Sequence, residues 1–509
     1  MALVGYELVR RRLDLPVFEI RRPAMIRPVT RILPTADGLS VPAASAPARE
    51  DDLLGHLLFA LKHEGVNLPL LAAAAEHLSA EQLGEAARQT PNGQYVRMLC
   101  CVWEHFTGRT VMPDPPVAGG YVDLFDTSKY FVGPAVRDPR WRVNFNGLGT
   151  WDYCATVERT QAIMDLVSSE VLQAAREFVQ GLDRELLERT LNWAYLHETQ
   201  DSYAIEREAP SEDKRRTFVR LLQQAHEPRQ VDEQYLVDLQ NSIVSNPYNQ
   251  AVQYRAEQNW LSDGNQGALG VTYVPPAPED VPALMEGWTT FVNRISGRLD
   301  PVMAASIASF GFVFIHPFMD GNGRLSRFLF HKVLCQSGQL GEGMLLPVSI
   351  AMKHHEAQYL QVLRDFSRPA RDLVRVRAIG EGDYDFSFRA DDKIFRYWDA
   401  TACVEFGLRM AKEALEVELR NESNFILHFD AVRREIDERF DLRGSTLATL
   451  VSIALTSGGT ISKNKRRRYA EEVSEAAYLA IEEKARAVLS VDEPGHRDDD
   501  EAPTDQPSN

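Results

Sequence analysis

The chain has 509 residues, of which 44% are hydrophobic and 25% are charged, and its formal net charge is −17. Because one hydrophobic core rarely serves so long a chain, we expect roughly two to four domains. The negative charge argues against a general nucleic-acid binder, since binding to phosphates needs a basic surface. No run of about eighteen apolar residues occurs, so we expect no membrane span. The first twenty residues mix arginines with acids and do not resemble a secretory signal.

The cysteines favour a reducing compartment. Five are present, an odd number without the spacing of a zinc site: Cys100, Cys101, Cys154, Cys335 and Cys403. The adjacent pair Cys100 and Cys101 lies in an apolar run and is predicted to be buried. We therefore expect free thiols and a cytoplasmic protein.

The first part of the chain divides by composition. Residues 1–50 are predicted to be an N-terminal extension that closes in a Pro/Ala/Ser-rich linker at 40–49. Residues 51–150 are predicted to be a helical region, because leucines line one face of its first segment. Prolines, glycines and aromatic residues at 113–150 predict irregular structure there.

Three further regions follow. Residues 151–375 are predicted to be a helical core, and residues 376–490 a C-terminal helical region that opens with a short hairpin or loop at 376–388. Residues 491–509 are acidic and almost free of apolar side chains, which predicts disorder. The basic run 463–468 could contact nucleic acid or an acidic partner, but such runs are usually solvated helix faces.

The most informative segment is His316–Arg327, which holds a histidine, an acid, two glycines and two arginines. The apolar segment 303–315 before it is predicted to be a buried helix. Apolar residues after it recur with helical spacing: Leu325, Phe328, Leu329 and Val333. The segment is therefore a loop between two helices, and Gly321 and Gly323 stand at the start of the second.

This arrangement predicts a phosphate site with a metal and a base. Backbone N–H groups at a helix start bind anions, and Arg324 and Arg327 are spaced to face the same anion. Asp320 can hold Mg²⁺, which takes one or two carboxylates together with substrate phosphates. His316 is the natural acceptor of a hydroxyl proton. Each residue alone has a plainer structural explanation, and Phe318 is predicted only to anchor the loop, but together they predict phosphoryl or nucleotidyl transfer.

Positions 316–327 match HxFx(D/E)GNGRxxR, the motif of the Fic family, at every defined position, and the chain resembles that family. The resemblance implies an all-α enzyme with a short β-hairpin flap, which transfers AMP from ATP to a Ser, Thr or Tyr hydroxyl of a protein. His316 would be the general base and Asp320 the Mg²⁺ ligand. Phosphate binding would fall to Gly321, Asn322, Gly323, Arg324 and Arg327, of which Arg327 would hold the γ-phosphate.

Residues 259–276 resemble the family's flap, which clamps the target protein beside the active site. The pair Asp263–Gly264 supports a turn, and Pro275–Pro276 would end a strand before a helix predicted at 281–295. The residues assigned to target binding are Gly270, Val271, Thr272 and Tyr273. An ordinary surface hairpin is the alternative.

Residues 202–207 resemble the family's inhibitory helix motif, (S/T)xxxE(G/N). Ser202 and Glu206 are four residues apart, so a helix would bring both to one face. The resemblance implies that Glu206 pairs with Arg327 and thereby removes the partner of the γ-phosphate. Arg207 stands where the family has Gly or Asn, which predicts that the chain leaves this helix along a different course.

A second segment, residues 155–160, fits the inhibitory motif less well, because Cys154 stands where Ser or Thr is expected.

The sequence therefore predicts a protein adenylyltransferase that uses Mg²⁺-ATP, is inhibited by Glu206 and modifies another protein or itself. Removal of AMP from the target by the same site is a related activity. A Fic-fold transferase that uses UMP or phosphate is one alternative, although the complete set of Gly323, Arg324 and Arg327 favours AMP. A non-catalytic nucleotide-binding protein is another. The target stays unidentified, and a homo-oligomer stays open.

Overall fold

The computed structural model describes residues 2–244, 246–265, 267–295, 297–341, 343–380 and 382–490. The chain forms two compact units. The first comprises Met1–Glu177 and Tyr195–Leu415, and the second comprises Phe178–Ala194 and the described part of Glu416–Asn509. The acidic tail predicted at 491–509 lies outside the described residues.

Short strands and helices alternate in the N-terminal part. Its elements are β1 (Leu3–Val4), α1 (Gly5–Arg12), β2 (Ala24–Ile26), β3 (Leu33–Thr35), β4 (Gly38–Val41), α2 (Leu53–His63), α3 (Leu68–Ala75), α4 (Ala80–Gln89), α5 (Gln94–Thr107), β5 (Val122–Asp123), β6 (Val136–Asp138), β7 (Val143–Phe145), β8 (Leu148–Gly149), β9 (Cys154–Thr156), α6 (Gln161–Ser168) and α7 (Val171–Gln180).

The linker predicted at 40–49 needs correction at its start, because Ser40 and Val41 are buried in β4. That strand pairs in parallel with β2, in a four-stranded sheet ordered β1-β2-β4-β3. The segment 113–150 contains the short strands β5 to β8 as well as irregular structure. These three small sheets depend on pairings that local composition does not reveal.

Longer helices follow. The elements are α8 (Arg184–Ile205), α9 (Glu212–Gln223), α10 (Glu233–Ile243), β10 (Leu261–Ser262), β11 (Val271–Tyr273), α11 (Val281–Ile295), α12 (Pro301–Ile315), α13 (Asn322–Gln336), α14 (Val348–His354), α15 (Glu356–Asp372), β12 (Val374–Ala378), β13 (Tyr384–Phe388), α16 (Lys393–Arg396), β14 (Tyr397–Asp399) and α17 (Thr401–Glu413). The helix predicted at 281–295 and the two helices around residues 316–321 are confirmed.

Helices α12 and α13 form the centre of the first unit. Both are buried along almost their whole length, and they pack against each other. Since α12 is apolar on all sides, it can only be stable as a core helix. The loop between them is therefore held at both ends by rigid elements.

The second unit contains α18 (Arg420–Arg439), α19 (Gly444–Thr456), α20 (Lys463–Arg468) and α21 (Glu475–Leu489). Helices α18, α19 and α21 share an apolar core. The basic run occupies α20, and its side chains are mostly exposed. Arg466 is the exception, because it pairs with Glu475 and Glu482. This arrangement agrees with the solvated-helix interpretation.

The mainly helical class is confirmed, and several sheets of two to four strands accompany the helices. All five cysteines are buried free thiols, and burial raises the pKa of Cys100 to about 12. No helix within the described ranges is both long and apolar enough to cross a membrane.

Candidate active site

His316 lies at the point where α12 ends, in the left-handed conformation with φ of 53°. Its Nδ1 is 3.1 Å from the carbonyl oxygen of Val313. Because a carbonyl only accepts, Nδ1 must carry the proton, which leaves Nε2 with its lone pair. Burial lowers the pKa of His316 to about 4. The imidazole is therefore neutral near pH 7 and able to accept a proton through Nε2.

Two asparagines fix the backbone of the loop after His316. The side chain of Asn322 accepts from the N–H of Phe318 at 3.0 Å and donates to the carbonyl of Phe318 at 2.7 Å. Asn259, from the segment before β10, donates to that same carbonyl at 2.9 Å. The Phe318 side chain is fully buried, as predicted. Asn322 thus has a structural task in the loop.

Arg255 is a buried residue of the site that sequence reasoning missed. Its guanidinium donates to the carbonyls of His316 at 2.9 Å, Pro276 at 2.5 Å and Glu257 at 3.2 Å. Its backbone N–H donates to Pro317. Burial lowers the pKa of Arg255 to about 10. A cation at the carboxyl end of α12 is favourable, and here it also joins the base to the end of the flap segment.

The start of α13 leaves backbone N–H groups without partners inside the helix. Gly321 precedes the helix with φ of 82°, and the first N–H to bond back belongs to Leu325. The three N–H groups before it have no partner within the helix. A Cβ on Gly323 would lie only 2.1 Å from Oε1 of Glu206. A carboxylate therefore already lies against the N-terminus of α13.

Arg327 connects α13 to α8. Its Nε donates to the hydroxyl of Ser202 at 2.9 Å, and its terminal nitrogen donates to the Ser202 carbonyl at 2.6 Å and to Glu206 at 2.9 Å. Arg327 is fully buried, whereas the Glu206 side chain is 35% exposed. The pairing expected between Glu206 and Arg327 is thus present as a contact.

Arg324 has two acidic partners. It donates to Glu208 at 2.8 Å and to Asp320 at 3.0 Å, and its guanidinium lies 5.1 Å from the centre of the Tyr203 ring. Glu208 was not predicted from the sequence. Because Arg324 is almost completely buried, these contacts compensate its charge.

Asp320 lies at the open side of the site with its carboxylate 30% exposed. One oxygen accepts from Gly321 at 2.6 Å and from Arg324, and the other accepts from Asn249 at 2.9 Å. A carboxylate offers about four acceptor positions, so one remains for a cation. A partly exposed carboxylate beside a helix N-terminus suits Mg²⁺, which would complete its shell with substrate phosphates and water.

The end of α8 explains the unusual Arg207. The N–H of Glu208 bonds to Tyr203 and that of Arg207 to Ala204, which is the Schellman pattern of helix termination. The position occupied by Arg207 is left-handed in that pattern, with φ of 58° here. Gly or Asn adopts this conformation most readily. Arg207 therefore adopts the backbone conformation that Gly or Asn favours, and the course of the chain beyond it stays a prediction.

A second contact between α8 and α13 was also missed. His331 lies 2.7 Å from Glu198, one turn along each helix from the Arg327 contacts. The other oxygen of Glu198 accepts from the backbone N–H of Ser349 at 2.7 Å. All three residues are buried. This network fixes α8 against α13 and α14.

The flap segment contains a short antiparallel pair, in which Leu261 lies opposite Tyr273. Tyr273 is buried, and its hydroxyl donates to the carbonyl of Phe314 in α12. Gly270 and Val271 are buried, and Thr272 points outward. The weaker inhibitory candidate at 155–160 begins in strand β9 instead of a helix.

The site thus combines a buried neutral imidazole, a helix N-terminus and two arginines in one loop between core helices. A site of this composition, in a mainly helical unit, is suited to binding an anion and accepting a proton. Residues 230–334 match the model of the Fic/DOC family. The chain is therefore similar to this family over these residues.

Curated relatives match over a short stretch. The chain is similar to the protein adenylyltransferase Fic of Drosophila grimshawi, with 38% identity over 93 residues, which is 18% of each chain. The protein of the same name from Drosophila melanogaster is 36% identical over 93 residues, again 18% of each chain. The chain thus spans about a fifth of the length of these relatives.

Solved structures are also similar. A Fic family protein from Desulfovibrio desulfuricans G20 has a TM-score of 0.37 and 19% identity, over 63% of this chain and 87% of that one. Fic-1 (aa134–508) from C. elegans has a TM-score of 0.33 and 14% identity, over 75% of this chain and 95% of that one. Because both TM-scores are low, the similarity to the Fic/DOC family rests on the sequence match of residues 230–334.

Proposed function

We propose that this protein transfers AMP from ATP to a hydroxyl side chain of a protein. One observation carries the proposal: the carboxylate of Glu206 lies against Gly323 and Arg327, where an anion would bind. An acid side chain there is a stand-in for a phosphate. The relatives named protein adenylyltransferase support AMP as the transferred group.

His316 would act as the general base. Its unprotonated Nε2 can take the proton of the acceptor hydroxyl, while the hydrogen bond to Val313 holds the required tautomer. The N–H groups at the start of α13 would hold the α- and β-phosphates of ATP. Phe318, held by Asn322 and Asn259, would keep the base and these donors in register.

Mg²⁺ would be held by Asp320. When bound, the ion would neutralise charge that develops on the phosphates. Asp320 already accepts from Arg324 and Asn249, so these two residues orient it. Arg324 would contact the phosphates, and its hydrogen bond to Asp320 would also position the metal ligand.

Glu206 would inhibit the enzyme by occupying the place of the γ-phosphate. A terminal nitrogen of Arg327 already donates to Glu206, so the carboxylate would compete with the γ-phosphate for this buried arginine. ATP would then bind in a position from which transfer is slow. Removal of AMP by water at the same site stays a second activity of the proposal, without a contact here that favours it.

The proposal is tested by incubating the Glu206→Gly chain with ATP, GTP, CTP or UTP, each labelled on the α-phosphate, in a lysate. We expect labelled proteins with ATP, and a loss of about 10²–10⁴-fold in the Glu206→Gly/His316→Ala chain, the usual effect of losing a general base. Nucleotide affinity should stay nearly unchanged in that chain. Labelling with UTP alone, or full labelling without His316, would contradict the proposal.

A further inference from the structure

A hairpin beyond the matched Fic segment supports the flap. Strands β12 and β13 pair in antiparallel register, with Val376 opposite Phe386. We call residues 374–388 the supporting hairpin and residues 259–276 the flap. The family match ends at residue 334, so the supporting hairpin is not part of it.

One face of the supporting hairpin packs on the flap. Val271 and Val274 of the flap form an apolar cluster with Val374 of the hairpin. The partly buried members of this cluster are Trp260, Val376, Tyr384, Phe386 and Phe388. Alternate hairpin residues are exposed, as expected for a strand pair covered on one face only.

Aromatic contacts fix the start of the flap. The ring of Trp260 lies 5.4 Å from that of Tyr384, edge to face, and 5.6 Å from that of Phe386. The hydroxyl of Tyr384 donates to the carbonyl of Gly267, near the tip of the flap, at 3.3 Å. Such pairs add stability beyond area burial and restrict the angle between the elements.

Arg371, in the last turn of α15, connects the two segments directly. Its guanidinium donates to the flap carbonyls of Val271 at 2.9 Å and Ala268 at 3.1 Å. A third bond, at 2.7 Å, reaches Val374 at the base of the hairpin. Arg371 is therefore bonded to the flap and to the hairpin at the same time. A lysine could not replace it, because its single ammonium group lacks the several donors of a guanidinium.

Two leucine side chains of the flap are exposed to solvent. Leu261 and Leu269 are exposed, Leu269 almost completely. Tyr273 meanwhile ties the flap to α12, which ends at the proposed base. The flap is thus held by contacts with the supporting hairpin and with α12, while these two leucines remain exposed.

We propose that the supporting hairpin and Arg371 set the position of the flap and so determine how well an acceptor protein segment binds beside His316. This inference rests on the proposed function, because it assigns the flap to the acceptor. Arg371, Tyr384 and Phe386 are positioning residues that act through the flap. In the described part of the chain, none of their hydrogen bonds or ring contacts involves residues 316–327.

The test compares Arg371→Met and Phe386→Ala in the Glu206→Gly chain. Labelling from α-labelled ATP is followed over a dilution series of lysate, which gives a half-saturating lysate concentration and a maximal rate. We expect the half-saturating concentration to rise on the order of tenfold, because small misplacements of bound groups have effects of this size or larger. The ATP dissociation constant should not change. Hydrogen exchange of the amides in 259–276 should become faster.

Two further variants complete the experiment. Arg377→Ala removes an exposed ion pair with Asp385 on the outer face of the hairpin and should leave every value unchanged. Tyr384→Phe removes only the bond to Gly267 and should raise the half-saturating concentration by a smaller factor, even if the larger changes prevent folding.

Unchanged half-saturation in Tyr384→Phe and in the folded variants, or an equal loss of ATP affinity, would overturn the inference. A Glu206→Gly parent that labels no protein would instead contradict the proposed function, and the inference with it.

Discussion

At the scale of single residues, the site depends on groups whose partners lie far away in the sequence. The motif from His316 to Arg327 could be predicted because its chemistry is contiguous. Arg255 could not, since its acceptor on His316 lies 61 residues away. Glu198 could not either, because an acid on a helix is ordinarily solvated, whereas this one is buried beside His331.

The protonation of His316 gives a prediction for the pH dependence of transfer. Its pKa is lowered to about 4, chiefly by burial and further by the charge on Arg255, while Glu206 and Asp320 act in the opposite direction. The neutral base is therefore present above that pH and is lost as pH falls through it. We expect transfer by the Glu206→Gly chain to show no loss from this group between roughly pH 5.5 and 8.

The matched variant is Arg255→Met in the same chain. Removing the cation should raise the pKa of His316 and move the acid limb of the pH profile upward, provided that thermal unfolding shows a folded protein. An acid limb near the ordinary histidine value in the parent would contradict the buried, neutral imidazole.

Arg207 gives a prediction for stability. A side chain in the left-handed region costs about 1–2 kcal/mol relative to glycine, partly offset by the greater freedom of glycine in the unfolded chain. We expect Arg207→Gly to stabilise the protein by up to about 1 kcal/mol, measured as a higher thermal unfolding midpoint. Arg207→Ala is the control, since alanine keeps the strained backbone. Equal effects of Gly and Ala would mean that lost charge, and not backbone conformation, is responsible.

At the scale of elements, α8 and α13 face each other through two successive turns. Glu198 contacts His331, and Ser202 and Glu206 contact Arg327. The inhibitory contact is thus one end of a longer buried interface. Loss of Glu206 alone should therefore release Arg327 while α8 stays in place.

This interface predicts how variants combine. Glu206→Gly should raise labelling from ATP markedly, and Arg327→Ala should remove that gain, because both residues act through one contact. Glu206→Gln keeps the shape of the side chain and should activate less than glycine. Initial rates of labelling in the four chains of the Glu206–Arg327 cycle measure the coupling. Additive effects would show that Glu206 acts elsewhere.

The sequence predicted helices better than sheets. Helix α13 follows from apolar periodicity, α12 from its continuous apolar run, and α11 from the proline pair that precedes it. Strand β9 pairs in parallel with β14, and Cys154 lies opposite Tyr397. Because the two strands are far apart in the sequence, no local pattern predicts their pairing. The flap was predicted from its resemblance to the family's flap, with a turn indicated by its glycines. Its contacts with β12 and β13 depend on packing between distant segments.

At the scale of the whole molecule, the matched Fic segment covers residues 230–334, whereas the contacts that organise its site begin at α8 and extend to β13. The described residues of the second unit have their own apolar core, with Leu450 and Ile481 buried within it. The motif therefore contains the residues proposed for the chemistry. Residues outside the matched segment, in α8 and in β12 and β13, contact the site and the flap.

The central claim is that AMP, and not phosphate, passes to a protein. The most direct measurement incubates the Glu206→Gly chain and a lysate with Mg²⁺ and ATP labelled either on the α-phosphate or on the γ-phosphate. We expect protein-bound label from α-labelled ATP only, because the γ-phosphate leaves as part of pyrophosphate. Protein-bound label from γ-labelled ATP would contradict it, and so would the absence of label from both nucleotides.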